Sequence, residues 1–158
     1  MATGSKIRYF LLLITLLFAP PACEKDENVI PDVYVNFYID LGDPEFYELN
    51  AITNHIIVTA ATNNLGPDAA GFAGSGIIIY HAQPGEFYAF DRTCPHDYAN
   101  GQVVTKVNVD GIYAICPECE TNYALPSFGA PTSGPGRHQL KNYRTSFDGY
   151  SIIRVWNN

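Results

Sequence analysis

Two short stretches carry side chains able to grip a metal: Cys94-Pro95-His96 and, after nineteen intervening residues, Cys116-Pro117-Glu118-Cys119. Thiolate and imidazole are the soft and borderline donors that zinc and iron take in sets of four, and a Cys-x-His pair with a Cys-x-x-Cys pair is ordinary spacing for two turns closing on one centre. Cys94, His96, Cys116 and Cys119 are therefore the candidate ligands. Of the four cysteines in the chain, Cys23 stands apart near the N-terminus. If Cys23 is acylated, an odd three remain, which full disulfide pairing in an exported protein cannot account for. A Cys116 to Cys119 or Cys94 to Cys116 disulfide with an idle third cysteine stays open as an alternative. A thioredoxin-like redox pair lacks the βαβ context that such a thiol needs. His55, His81 and His138 fall outside both loops and read as surface or structural histidines, while Asp97, Glu118 and Glu120 put acidic charge beside the ligands, either to tune them or as solvated loop residues. No Ser/His/Asp triad, phosphate-cradling Gly loop or paired catalytic carboxylates can be argued.

The elements that must position these loops read as strands. Val33, Val35, Phe37, Ile39 and Leu41 alternate with Tyr34, Asn36, Tyr38 and Asp40, as in a half-buried strand, and Gly42-Asp43-Pro44 breaks it. A second run spans Ile52 to Thr59. Asn63 to Gly76, with four glycines and a proline, reads as an irregular loop. Ile77 to His81 and Glu86 to Phe90 flank Gln83-Pro84-Gly85 as a hairpin leading to Cys94. Val103 to Val109, an Asp110-Gly111 turn and Ile112 to Ile115 form the hairpin leading to Cys116. A Gly/Pro/Ser-rich loop covers 126–136, and Tyr143 to Phe147, Asp148-Gly149 and Tyr150 to Trp156 close the chain as a last hairpin. No stretch shows a 3.6-residue period or an internal repeat. The reading is one all-β domain of antiparallel sheets with a small two-loop metal-binding subdomain. Tyr34, Tyr38 and Tyr88 either mark a partner surface or cover the core.

At 158 residues with a formal charge of −7 and nine Lys and Arg, the chain has one domain's length and no basic footprint for nucleic acid. Lys6 and Arg8 precede an apolar run from Tyr9 to Ala19, too short to span a bilayer, which reads as an export signal over residues 1–22. Pro20-Pro21-Ala22-Cys23 resembles the lipobox of bacterial lipoproteins, and Glu24-Lys25-Asp26-Glu27 is similar to the acidic export signals of surface lipoproteins of the Bacteroidetes. That resemblance implies acylation of Cys23, an acidic tether over 23–32, a folded domain over 33–157 and anchorage to the outer membrane, with surface exposure open. A freely secreted protein is the alternative.

Around the ligands the sequence resembles the Rieske family, over roughly residues 52–157. Cys116-Pro117-Glu118-Cys119-Glu120-Thr121-Asn122-Tyr123 is similar to that family's second cluster loop; Phe128-Gly129-Ala130, Ser133-Gly134-Pro135 and Leu140-Lys141-Asn142-Tyr143 follow in the family's order. The resemblance implies a Rieske-like β-sandwich with a rubredoxin- or zinc-ribbon-like subdomain whose loops, about 94–136, hold a [2Fe–2S] cluster. Cys94, Cys116 and His96 fall on ligand positions, Cys119 falls where the second histidine stands, Thr121 and Tyr123 where hydroxyls reach cluster sulfur, and Gly134-Pro135 on a shielding proline loop. An electron carrier with an unknown redox partner follows, more readily than a catalyst. Three thiolates in place of two lower the expected potential. Lys6-Ile7-Arg8 lacks the arginine pair used to export cluster-loaded proteins, an objection that keeps open the alternative of a surface binding or structural protein with zinc or an empty site.

Overall fold

The computed structural model describes residues 28–157. The export signal, the lipobox-like stretch, Cys23 and the acidic residues after it lie outside the described residues. Ten antiparallel strands form two sheets: β1 (Val35–Asp40), β2 (His55–Val58), β3 (Ile77–Gln83), β4 (Glu86–Asp91), β9 (Asn142–Phe147) and β10 (Ile152–Asn157) pair in the order β1-β10-β9-β4-β3-β2. The smaller sheet has the order β5-β6-β7-β8, from Asn108–Asp110, Tyr113–Ile115, Asn122–Ala124 and Ala130–Ser133. The all-β expectation holds. Among the described residues no helix is long and apolar enough to cross a membrane.

Alternation places β1 as expected: Val35, Phe37 and Ile39 are buried against Ile153 and Val155 of β10. The run Ile77-Ile78-Ile79-Tyr80 does not alternate because β3 is covered on both faces. Ile77 and Ile79 enter the main core with Phe46, Leu49 and Phe87, whereas Ile78 and Tyr80 join Phe90, Val107, Ala114, Tyr123 and Leu125 in a second core. That second core contains Cys94 and Cys116. Each buried aliphatic side chain contributes on the order of 1.5–3 kcal/mol, so the cysteine loops rest on a well-packed floor.

Several local expectations are corrected. The 63–76 stretch is a series of 3-10 turns with Ala69 and Ser75 fully buried, held by hydrogen bonds from Phe72 N–H and the Ser75 hydroxyl to Asp91. In the β5–β6 hairpin Asp110 still pairs with Tyr113, so the two turn residues are Gly111 and Ile112, and Gly111 alone takes a positive φ, 57°. The last hairpin has a longer turn. Asp148 Oδ1 accepts from the N–H groups of Tyr150, Ser151 and Ile152, and ladder pairing resumes only at Phe147 with Ile153. The 126–136 stretch is not all loop, since β8 lies within it. A seven-residue helix, α1 (Pro95–Gly101), follows Cys94. It is too short to show a period, and its signals are a proline at the first helical position and an acid in the first turn.

At the N-terminal end Ile30 is already buried. The Lys141 ammonium, 1% exposed, donates to Ile30 O at 3.3 Å, Pro31 O at 2.7 Å and Asp32 Oδ1 at 2.7 Å, so the chain is clamped to the fold before β1 begins.

Candidate metal centre

Each ligand loop leaves the end of a strand. β4 runs out at Asp91; Thr93 bridges to Lys106 and Cys94 N–H donates to Thr105 O at 2.8 Å, which fixes Cys94 at the mouth of α1. β6 ends at Ile115, and the Cys116 to Thr121 loop closes on itself, with Glu120 N–H donating to Cys116 O and Cys116 N–H to Thr121 O, both at 3.0 Å. A tight turn of this kind requires the left-handed backbone found at Glu120, φ 56°.

The thiols of Cys94, Cys116 and Cys119 and the carboxylate of Asp97 come together, their ligand atoms all within 4.8 Å of one another. Cys94 Sγ lies 3.6 Å from Cys119 Sγ, and Cys116 Sγ donates to Asp97 Oδ2 at 3.1 Å. No disulfide links the three cysteines. A tetrahedral ion bonded to sulfur at about 2.3 Å spaces its ligand atoms by about 3.8 Å, so these donors are a set of single-ion dimensions. His96, the predicted fourth ligand, is not brought into this group. It is half-buried, and Asn100 Nδ2 lies 3.2 Å from its Nδ1 and donates to its carbonyl at 2.8 Å.

Hydroxyls surround the sulfurs. Buried Tyr123 places Oη 3.4 Å from Cys94 Sγ, and Thr121 Oγ1 is 3.2 Å from Cys119 Sγ while accepting from Gly136 N–H at 2.9 Å. Gly134 and Gly136 press on Thr121: a Cβ at either would come within 2.6 Å of a Thr121 atom. Pro135 between them is exposed.

Burial pushes the Cys94 and Cys116 thiols above their ordinary range, and burial with the neighbouring Cys94 does the same to Tyr123. Asp97 goes the other way. Burial alone would raise its carboxyl, but hydrogen bonds from Cys116, Thr105 and Cys119 outweigh this and hold it below the usual carboxylate value. An isolated cluster of acid and thiols would not stay buried without such partners.

Three residues that sequence reasoning passed over brace this arrangement. Asp91 is fully buried and accepts from Thr93 N–H, Ser75 Oγ, Phe72 N–H and Tyr143 Oη at 2.6–2.9 Å. The Phe72 ring meets Tyr98 of α1 edge-on at 5.2 Å. Asp91 therefore ties together the strand before Cys94, the 3-10 turns and, through Phe72, the helix that carries Asp97. Its only sequence signal was a carboxylate at the end of a strand bound for a buried loop.

No family model matches the sequence, and no curated protein does. Among solved structures, the chain is similar to the plasma membrane Rieske protein PetC3 of Synechocystis PCC 6803, at 17% identity and a TM-score of 0.48, over 80% of this chain and 100% of that one. It is similar to a ferredoxin of Sphingomonas yanoikuyae B1 at 14% identity and a TM-score of 0.45, over 70% and 94%. A chain from the complex of reduced oxygenase and oxidized ferredoxin in carbazole 1,9a-dioxygenase gives 15% and 0.45, over 73% and 96%.

Proposed function

We propose that the chain is an envelope-anchored electron-transfer module, held to the outer membrane by lipid on Cys23 and carrying an iron–sulfur centre between its two cysteine loops. The carrying observation is the convergence of Cys94, Cys116 and Cys119 from two separate loops, with hydroxyls of Tyr123 and Thr121 on two of the sulfurs. Hydrogen bonds to sulfur offset the charge of a thiolate-rich donor set and set the potential of an iron–sulfur centre. A [2Fe–2S] cluster bound here would supply a one-electron couple. The chain's part is to hold the three thiols and a fourth donor from the turn after Cys94, to bury the centre against Val107, Ala114 and Leu125, and to present it to a redox partner. Native protein from envelopes, prepared without oxygen, should contain iron and acid-labile sulfide in a ratio near one and give a rhombic EPR signal on reduction; iron-free protein refutes the proposal. Cys23→Ser should move the protein from the membrane to the soluble fraction, and retention in the membrane refutes the anchor.

One observation favours a second reading. The four donor atoms lie within 4.8 Å of one another, which suits one zinc ion in a structural or binding protein of the cell surface. One zinc per folded chain, with no visible absorption, would establish it over the cluster.

A further inference from the structure

We infer that Asp97, and not His96, is the fourth ligand of this centre. The inference rests on the reading of the two cysteine loops as a metal site and names the donor that completes it.

The reason is local backbone geometry. Along an extended strand residues i and i+2 point the same way, so Cys-x-His would aim both side chains at one ion. The chain after Cys94 is not extended. Pro95 opens α1, Cys94 is its cap, and Tyr98 N–H donates to Cys94 O at 3.2 Å, closing a helical turn over 94–98. On a helix, neighbours on one face are three or four residues apart, while i and i+2 face away from each other. Asp97 therefore shares the face of Cys94, and His96 does not. The distances agree: Asp97 Oδ2 is 3.1 Å from Cys116 Sγ and belongs to the four-atom group, whereas the His96 ring lies against Asn100, which is exposed.

The helix cannot easily roll to exchange the two. Pro95 is buried beneath it. Tyr98 packs edge-on against Phe72, whose N–H is in turn fixed on Asp91 at 2.6 Å. Asp97 also borders an open groove shared with Val103, Val104, Lys106 and Pro117. Three thiolates select zinc, iron or cobalt, and a carboxylate is a ligand these ions also accept, at about 2.0–2.2 Å for zinc.

The experiment uses metal-free folded protein titrated with Co²⁺ alone, whose thiolate charge-transfer and ligand-field bands report ligand number and type, with circular dichroism to verify the fold of each variant. Wild type should bind one equivalent. Asp97→Asn, nearly isosteric, should weaken binding at least ~tenfold, the scale on which even supporting residues act, and His96→Ala should leave it unchanged. Asp97→Cys should raise the charge-transfer intensity by about a third, as three thiolates become four, while His96→Cys should not. This pair decides the matter if Asp97→Asn does not fold. Loss of binding in His96→Ala with none in Asp97→Asn overturns the ligand assignment alone. Failure of wild type to bind Co²⁺ overturns the assignment of these four donors to one ion, while the iron–sulfur reading is decided separately by the iron and sulfide analysis of native protein.

Discussion

Asp91→Asn is the substitution whose cost follows most directly from the structure. Oδ1 accepts from Thr93 N–H at 2.8 Å and from the Ser75 hydroxyl at 2.9 Å; Oδ2 accepts from Phe72 N–H and from the Tyr143 hydroxyl, both at 2.6 Å. Each oxygen thus serves one backbone N–H, which cannot turn away, and one hydroxyl, which can. In asparagine, whichever way the amide is oriented, its NH₂ faces one of the two backbone N–H groups. That donor loses its acceptor inside the protein, a penalty of about 1–3 kcal/mol, and the remaining bonds lose the charge that made them worth about 1.5–3 kcal/mol each. The expected total is about 3–5 kcal/mol, a large share of the stability of a domain this size. Tyr143→Phe is the control. Burial and then the charge of Asp91 raise the Tyr143 phenol well above its ordinary range, so it is a donor throughout neutral pH; its removal leaves Asp91 three partners and should cost about 1.5–3 kcal/mol. Urea unfolding, followed by the single tryptophan, Trp156 on β10, measures both. An Asp91→Asn cost no larger than that of Tyr143→Phe would refute the donor-clash argument.

Two further substitutions test the packing around the site and the N-terminal clamp. Gly134→Ala, at φ 84° with its new Cβ 2.6 Å from Thr121 Cα, should cost about 2–4 kcal/mol, combining left-handed strain with overpacking, whereas Gly149→Ala, at φ 87° with nothing within 4 Å, should cost only about 1–2 kcal/mol; equal losses in melting temperature would show that the contact with Thr121 is not tight. At the clamp, the Lys141 hydrogen bond and charge hold the Asp32 carboxyl below 3.8. A folded pKa below the unfolded one means that the stabilisation is present above pH 3.8 and disappears as pH falls through the folded value. Wild type should therefore exceed Asp32→Asn by less than about 1 kcal/mol at pH 7, because Asp32 is exposed, and the gap should close in acid; a gap that persists at low pH would show that the ion pair is not its source.

Strands were legible from alternation where one face meets water, and from turn signals between apolar runs where neither does. β1 announces itself by alternation, β9 and β10 by the Asp148-Gly149 turn, and β3 and β4 by a Pro-Gly turn between apolar runs. The turns were less so. A two-residue turn shifted by one position at Gly111 leaves the strand composition unchanged, and Asp148 extends its turn through three backbone bonds that no dipeptide signal encodes. Within the site, spacing located the loops and singled out Cys94, Cys116 and Cys119, which converge. It could not see α1, because seven residues hold too few turns to generate a period, and therefore could not see which side chain after Cys94 faces inward.

The irregular 63–76 stretch explains how that face is chosen. Its short 3-10 turns satisfy many of its backbone groups locally, but the Phe72 N–H, at the start of one such turn, needs a partner from elsewhere. Asp91 accepts from the Phe72 N–H and the Ser75 hydroxyl, and a buried carboxylate in turn needs a full set of donors to remain inside. Each side therefore meets the other's requirement, and the by-product is a fixed Phe72 ring against Tyr98. The rotation of α1, and with it the presentation of Asp97 to three thiols, is thus set by residues some twenty positions upstream and by a strand-end acid that touches no candidate ligand side chain. A ligand pattern read along the chain names donors by their separation; in this fold the donors are chosen by what holds the helix.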